Sequence, residues 1–350
     1  MRAEINKVVE DSSRKLFQIS SPPVKYWLLK FIMEKNDEDT ILKQTKRESA
    51  EYPAKLRLLA KQNADGTWPI SRQKRFEEER GPGPPIGWTY VTILRNQYTL
   101  GDYVTTIDEG HVRASFEKVF GWQTKEGCIP GPWTEAFPLP YYCGFAARNM
   151  QQFGLFDDPR TQKLMRWILS MQRQDGGWNI PYIQDMWYRP KYRGLKKREF
   201  MDIVESEDAP TYDPKEYNDI PSCIWSTVMA IRGLTHHKKL HKSASVCRGI
   251  DFVLDRFFKR NHHPSFYQYE KNWTTLKYPT YLGSGLSVLD IVTWNGYGPE
   301  DPRMEKPIRW LLSARTKEGF WHVSERPNPE KDQWITVIAL AVLKRYLSRY

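Results

Sequence analysis

The chain has little cysteine. Cys128, Cys143, Cys223 and Cys247 are the only four in 350 residues, they are widely spaced, and no Cys-x-x-Cys pair occurs. That usage fits a reduced, cytoplasmic protein better than a disulfide-stapled one. Long hydrophobic runs are missing too. Trp334–Leu343 is the longest clear one, and a spanning helix needs about 20 apolar residues. The N-terminus lacks the charged-then-apolar order of a signal peptide. No Pro/Gly/Ser-rich linker divides the chain, so the expectation is an N-terminal arm over 1–22 and one domain over 23–350. Basic residues are in excess, with a net charge of +11, and cluster at Arg189–Arg198, His236–Lys242 and Arg256–His263. No nucleic-acid reading module accompanies them. A solvated basic exterior and peripheral contact with an anionic membrane surface both remain open.

What the chain does contain is a repeat. Gln172-Arg-Gln-Asp-Gly-Gly-Trp178 and Gln62-Asn-Ala-Asp-Gly-Thr-Trp68 share one spacing. Gln123-Thr-Lys-Glu-Gly-Cys-Ile129 keeps the Gln and Gly, and Arg315-Thr-Lys-Glu-Gly-Phe-Trp321 keeps the Gly and Trp. Before each copy, apolar residues recur three and four apart, as in Leu164, Trp167, Ile168 and Met171, the pattern of one helix face. The glycine suits the left-handed exit of a helix C-terminus. The Gln can bond free backbone groups there, and the Trp can bury its ring under the turn. A second helix follows each copy: Gly87–Thr99, Pro140–Phe153, Pro221–Thr235, Tyr278–Trp294 and Asp332–Leu347. A decayed unit over Ser243–His263 and a helical pair over Val24–Thr45 bring the total to about six hairpins. Such units bury their faces against neighbours.

The Gln-x3-Gly-x-Trp motifs in this hairpin order resemble the squalene cyclase and protein prenyltransferase repeat superfamily. That resemblance covers roughly residues 24–350 and implies an all-α fold, an α/α toroid with inner and outer helices. The stretch Tyr278–Arg303, with Trp310-Leu-Leu and Asp332-Gln-Trp-Ile-Thr336, is similar to shorter prokaryotic squalene-cyclase-like proteins without a settled activity. It therefore implies a fold and a ligand class rather than a reaction.

The family's chemistry is largely missing. Protonation-initiated cyclases use Asp-x-Asp-Asp, a carboxylic acid made unusually acidic beside an apolar cavity. The best counterpart is Asp219-Ile-Pro-Ser-Cys223, where only Asp219 survives. Protein prenyltransferases need a zinc held by Asp, Cys and His. Here the spacing Asp219 to Cys223 is too long and Pro279 stands where their histidine would be, so no metal site is expected. Mg²⁺ enters only if the substrate is a diphosphate.

The second helices share a face of their own. Trp88 precedes Arg95, Tyr141 precedes Arg148, and Trp225 precedes Arg232, each by seven residues, nearly two turns. Thr92, Phe145 and Met229 lie between, and Gly283, Ser287 and Asp290 hold these positions in the fourth copy. Turned inward, this face would give an aromatic wall and a ring of guanidiniums, suited to an isoprenoid with an anionic head. The competing reading is packed core aromatics with arginines complementing helix dipoles. Asp290 reads either as a carboxylate paired with an arginine or as a catalytic acid. The acidic and basic insert over 183–219 reads as a lid or as a solvated loop. These features together read as a terpenoid-cyclase-like protein binding or transforming an isoprenoid. Asp219 and Asp290 are its candidate acids, and Trp88, Arg95, Tyr141, Phe145, Arg148, Trp225, Met229 and Arg232 its candidate binding residues. The alternatives are a non-catalytic lipid carrier and a protein-interaction scaffold.

Overall fold

A computed structural model describes residues 1–71, 87–132, 138–180, 190–204, 206, 220–261, 269–324, 326 and 328–348. Among them no β-strand forms, and one isolated bridge pairs Trp178 with Cys223. The helices, in chain order, are α1 (Arg2–Ile19), α2 (Pro22–Phe31), α3 (Thr40–Ala50), α4 (Pro53–Leu59), α5 (Gly87–Asp102), α6 (Val112–Gly121), α7 (Pro140–Gln152) and α8 (Pro159–Ser170). After these come α9 (Lys197–Val204), α10 (Ile224–Thr235), α11 (Ala244–Leu254), α12 (Lys271–Thr274), α13 (Gly285–Trp294), α14 (Glu305–Ser313) and α15 (Pro329–Leu347).

The repeated turn is what joins one hairpin to the next. In each good copy the Gln amide donates to the motif Gly carbonyl and to the first turn of the following outer helix. Gln62 reaches Gly66 at 3.2 Å and His111 at 3.0 Å. Gln123 reaches Gly127 and Arg160 at 2.8 and 2.9 Å, and Gln172 reaches Gly176 and Ser245 at 2.8 and 2.7 Å. The indoles of Trp68, Trp178 and Trp321 donate back to Leu58, Ile168 and Leu311 in the helix just ended. Gly66 has φ +83° and its missing Cβ would lie 2.1 Å from the Ser115 nitrogen of α6, so both the turn and the docking require glycine.

The fourth copy closes the circle. Its Arg315 approaches Ser12 at 3.4 Å, and Lys15 donates to the Glu318 carbonyl at 2.9 Å. Thus the last turn docks on α1, and the segment expected as an arm over 1–22 is an outer helix of the ring. Inside it, α5, α7, α10, α13, α15 and α2 pack in that order. The Trp27 indole of α2 donates to the Asp102 carbonyl of α5 at 2.7 Å and completes the circuit. The fold is an α/α toroid. The inner helices are mostly buried on all sides; every residue of α10 is buried, which is why periodicity there is weak.

The tightest inner contact is α7 on α10. A Cβ at Gly144 would sit 2.3 Å from the Met229 carbonyl, and one at Gly233 would sit 2.4 Å from the Gly144 carbonyl. Helices α10 and α13 start later than the sequence suggests. Ile224 replaces Pro221, and Gly285 replaces Tyr278, because residues 278–284 turn into the ring instead of extending the helix.

Candidate functional site

The C-terminal ends of the inner helices converge on one cavity of about 260 Å³. Its floor is buried: Tyr98 of α5, Arg148 of α7, Arg232 of α10, and Thr280. Its rim is apolar and partly exposed: Trp27 and Phe31 of α2, Trp294 of α13, Ile338 and Ala341 of α15. Phe31 is 41% exposed and stacks on Trp27 with ring centres 5.2 Å apart.

Three guanidiniums and two carboxylates share this space. Asp290 accepts from Arg232 at 2.6 Å through one oxygen and from Arg345 at 2.6 Å through the other. Burial would raise its pKa, but the two guanidiniums outweigh that and push it down to about 2. Asp102 is the opposite case. It accepts from the Tyr278 hydroxyl at 2.8 Å, while Arg148 stands off at 3.5 Å. Burial therefore dominates over Arg148 and the Tyr278 bond, and its pKa is pushed up to about 6. Arg148 lies flat on the Tyr98 ring, 3.8 Å from the centroid. Neither Arg148 Nε nor Arg232 Nε has a hydrogen-bond partner, although both are buried. His236, the C-cap of α10, completes the group. Burial and the neighbouring Arg148 and Arg232 hold its pKa well below the ordinary value, so the imidazole is neutral. With both carboxylates ionised, three positive groups against two negative leave the cavity one positive charge.

Among the described residues, the chain itself occupies the opposite end of the ring. The segment from Tyr278 to Ser284 enters it, and Tyr281 packs on Phe145 with centroids 4.8 Å apart and on Tyr98 at 5.3 Å. The Tyr141 hydroxyl donates to the Tyr281 carbonyl at 2.7 Å, and Tyr98 hydrogen-bonds Thr280. Trp225 lies against Trp273 at 5.1 Å, and a Cβ at Gly283 would come within 2.5 Å of its ring.

The sequence-derived candidates therefore divide. Arg148, Arg232 and Asp290 come together at the cavity. Tyr141, Phe145, Trp225 and Met229 lie at the filled end, where Phe145, Trp225 and Met229 are core residues. Trp88 is half-buried at the start of α5 and does not line the cavity. Arg95 stands over Tyr281 at 6.0 Å and is not among the residues lining the cavity, where Arg345 joins Arg148 and Arg232 instead. The cause is register. Tyr98, not Arg95, is level with Arg148, so α5 is offset from α7 by about one turn. Asp290, read in sequence either as an arginine partner or as an acid, is ion-paired with both Arg232 and Arg345, and they hold its pKa down to about 2. Asp219 and most of the insert over 183–219 lie outside the described residues.

Asp102, His236 and Arg345 are new. Asp102 was within reach of sequence reading, because it continues the seven-residue step from Trp88 and Arg95. Ending the helix at Thr99 hid it. His236 reads in sequence as a solvated loop histidine; instead its ring stacks near Trp294 at 6.0 Å and faces the cavity. Arg345 carries no sequence signal, being one of two basic residues in the last turns of α15.

No protein-family model matches the chain, and no curated protein does. Among solved structures, a protein from Actinoplanes is similar at 14% identity, covering 87% of this chain and 99% of that one, with a TM-score of 0.30. The apo type II terpene cyclase MstE from Scytonema is similar at 12% identity, covering 87% and 98%, with a TM-score of 0.29. Likeness at this level leaves the function to be argued from the cavity. No helix among the described residues is long and apolar enough to cross a membrane. Nor do those residues contain a His, Cys, Asp and Glu cluster fit to hold a metal ion.

Proposed function

We propose that the cavity is the site of an enzyme acting on an amphipathic small molecule, a terpenoid-type hydrocarbon carrying an acidic head. One observation carries this reading. Two aspartates lining one aromatic-rimmed cavity have pKa values pushed apart, Asp102 up to about 6 and Asp290 down to about 2. Pairs divided in this way mark acid and base assignments. Asp290 orders Arg232 and Arg345, and these with Arg148 receive the anionic head. Asp102 gives up a proton to the bound molecule and takes one back from solvent. Neutral His236, between the arginines and Trp294, is placed to accept a proton at the end of the reaction. The indole and phenyl rings of Trp27, Phe31, Trp294 and Trp334 hold the hydrocarbon.

A carrier would need the cavity and the arginines but no perturbed acid, and the raised Asp102 favours the enzyme. The test is tryptophan quenching and product analysis with prenyl phosphates and diphosphates. Asp102→Asn is expected to bind as the parent does and to form no product. Product formation by Asp102→Asn at the parent rate overturns the acid assignment. Binding by both proteins with turnover by neither assigns the carrier role.

A further inference from the structure

The cavity has a direction, and the direction fixes how a ligand lies in it. Its charged groups are at the bottom: Arg148 is 6% and Arg232 7% exposed. Its apolar groups are at the top, ending at Phe31, which is 41% exposed. Below the floor the described residues pack across the ring axis. Tyr98 is hydrogen-bonded to Thr280, Tyr281 is packed on Phe145, and the Ser287 hydroxyl donates to the Thr280 carbonyl at 2.5 Å. A volume of about 260 Å³ is near the lower bound of small-molecule sites, roughly 300–1,000 Å³.

We infer that the ligand binds head-inward, with its acidic group on the arginine floor and its hydrocarbon chain leaving the protein over Phe31. This rests on the anionic-head reading above and adds an orientation and a specificity rule to it. The guanidinium side chains of Arg148, Arg232 and Arg345, which line the cavity together, point to the head, a phosphate or carboxylate. With Asp102 carrying its proton, three guanidiniums face the one carboxylate of Asp290, and this surplus asks for a negatively charged head. The chain is held along Trp334, Trp27, Trp294, Ile338, Ala341 and Phe31, then meets solvent. The protein therefore selects the head strictly and the chain length loosely. A reacting bond lies close to the head, because Asp102 and His236 both stand beside the arginines.

The test is calorimetric titration of the whole protein with butyl, octyl and dodecyl phosphate below their micelle concentrations. A parallel series of the matching carboxylates separates the two heads. Affinity is expected to rise by about four-fold per methylene while carbons meet the rim, and then to level off without falling. Phe31→Asp, on an exposed side chain, is expected to weaken dodecyl phosphate at least ten-fold and butyl phosphate less than two-fold. A drop in affinity from octyl to dodecyl, or equal weakening of short and long ligands by Phe31→Asp, overturns the head-inward arrangement. The underlying reading fails separately, when butyl phosphate and butyrate bind no more weakly to Arg148→Ala and to the more exposed Arg345→Ala than to the parent protein. Thermal melts of all three variants confirm folding, and Arg345→Ala keeps the head test valid if Arg148→Ala does not fold.

Discussion

The two ends of the helix ring are built from the same inner helices and differ in what enters them. At the N-terminal ends the chain itself fills the space. Residues 278–284 bring Tyr281 and Gly283 against Phe145 and Trp225, and polar groups are paired within the segment, Lys277 with the Gly283 carbonyl at 2.8 Å among them. At the C-terminal ends no described segment returns in this way. The space left is charged, because helix C-termini present carbonyls of partial negative charge, which arginines complement. Three arginines there exceed what two aspartates balance. The filled end should govern stability and the open end ligand chemistry, and substitutions at each can break that division.

The largest expected effect belongs to the filled end. Trp225→Ala empties a buried indole site and should cost about 3–5 kcal/mol in urea unfolding. Affinity at the arginine end should stay within a few-fold. A collapse of ligand affinity in a still-folded Trp225→Ala protein would show that the two ends are one site. Next is Asp290→Asn, which leaves Arg232 and Arg345 close together without their shared carboxylate and should cost about 3 kcal/mol. This loss lies at the open end, which contributes stability through the ion pair that orders the arginines. A cost under about 1 kcal/mol in the same measurement would mean that the arginines are solvated.

Asp102 reverses the sign. Its folded pKa of about 6 lies above the ordinary value of 3.8, so its neutral form favours the folded state. That stability is fully present below pH 4 and is lost as pH rises through 6, by on the order of 2–3 kcal/mol. Asp290 behaves conversely: its folded pKa of about 2 lies below 3.8, and its contribution, present above pH 4, disappears as pH falls toward 2. The difference in unfolding free energy between the parent and Asp102→Asn should therefore change between pH 4 and 6 and be flat above pH 7. A flat difference throughout would put Asp102 in contact with water. The smallest effect is Gly144→Ala at the contact of α7 with α10, about 1–3 kcal/mol by thermal melting as the helices move apart. Because Arg148 and Arg232 ride on these two helices, this variant should also loosen head-group binding modestly, while Trp225→Ala should not.

Legibility in the sequence followed the range of the interactions. Gln62, Gln123 and Gln172 act on a carbonyl four residues away and on the next outer helix, so their spacing alone announced the turn and the repeat. Arg148, Arg232 and Asp290 were found by a seven-residue face within single helices. Arg345 and His236 belong to the same cavity but to no repeated pattern, and Arg95 fits the pattern but not the cavity.

The sequence by itself determined the hairpin repeat, because two copies carry Gln, Gly and Trp, two more keep part of that set, and each acts through backbone groups that any copy provides; ring closure was implied only by the family resemblance. Only the tertiary structure decided which turn of one inner helix faces which turn of the next, and which end of the ring stays open. Those depend on the glycine contact of Gly144 with Gly233 and on the entry of residues 278–284, contacts between segments up to 182 residues apart, as between Tyr98 and Thr280. The same packing separates two chemically identical carboxyl groups, by setting Asp290 between two guanidiniums and Asp102 beside a tyrosine with its arginine held off.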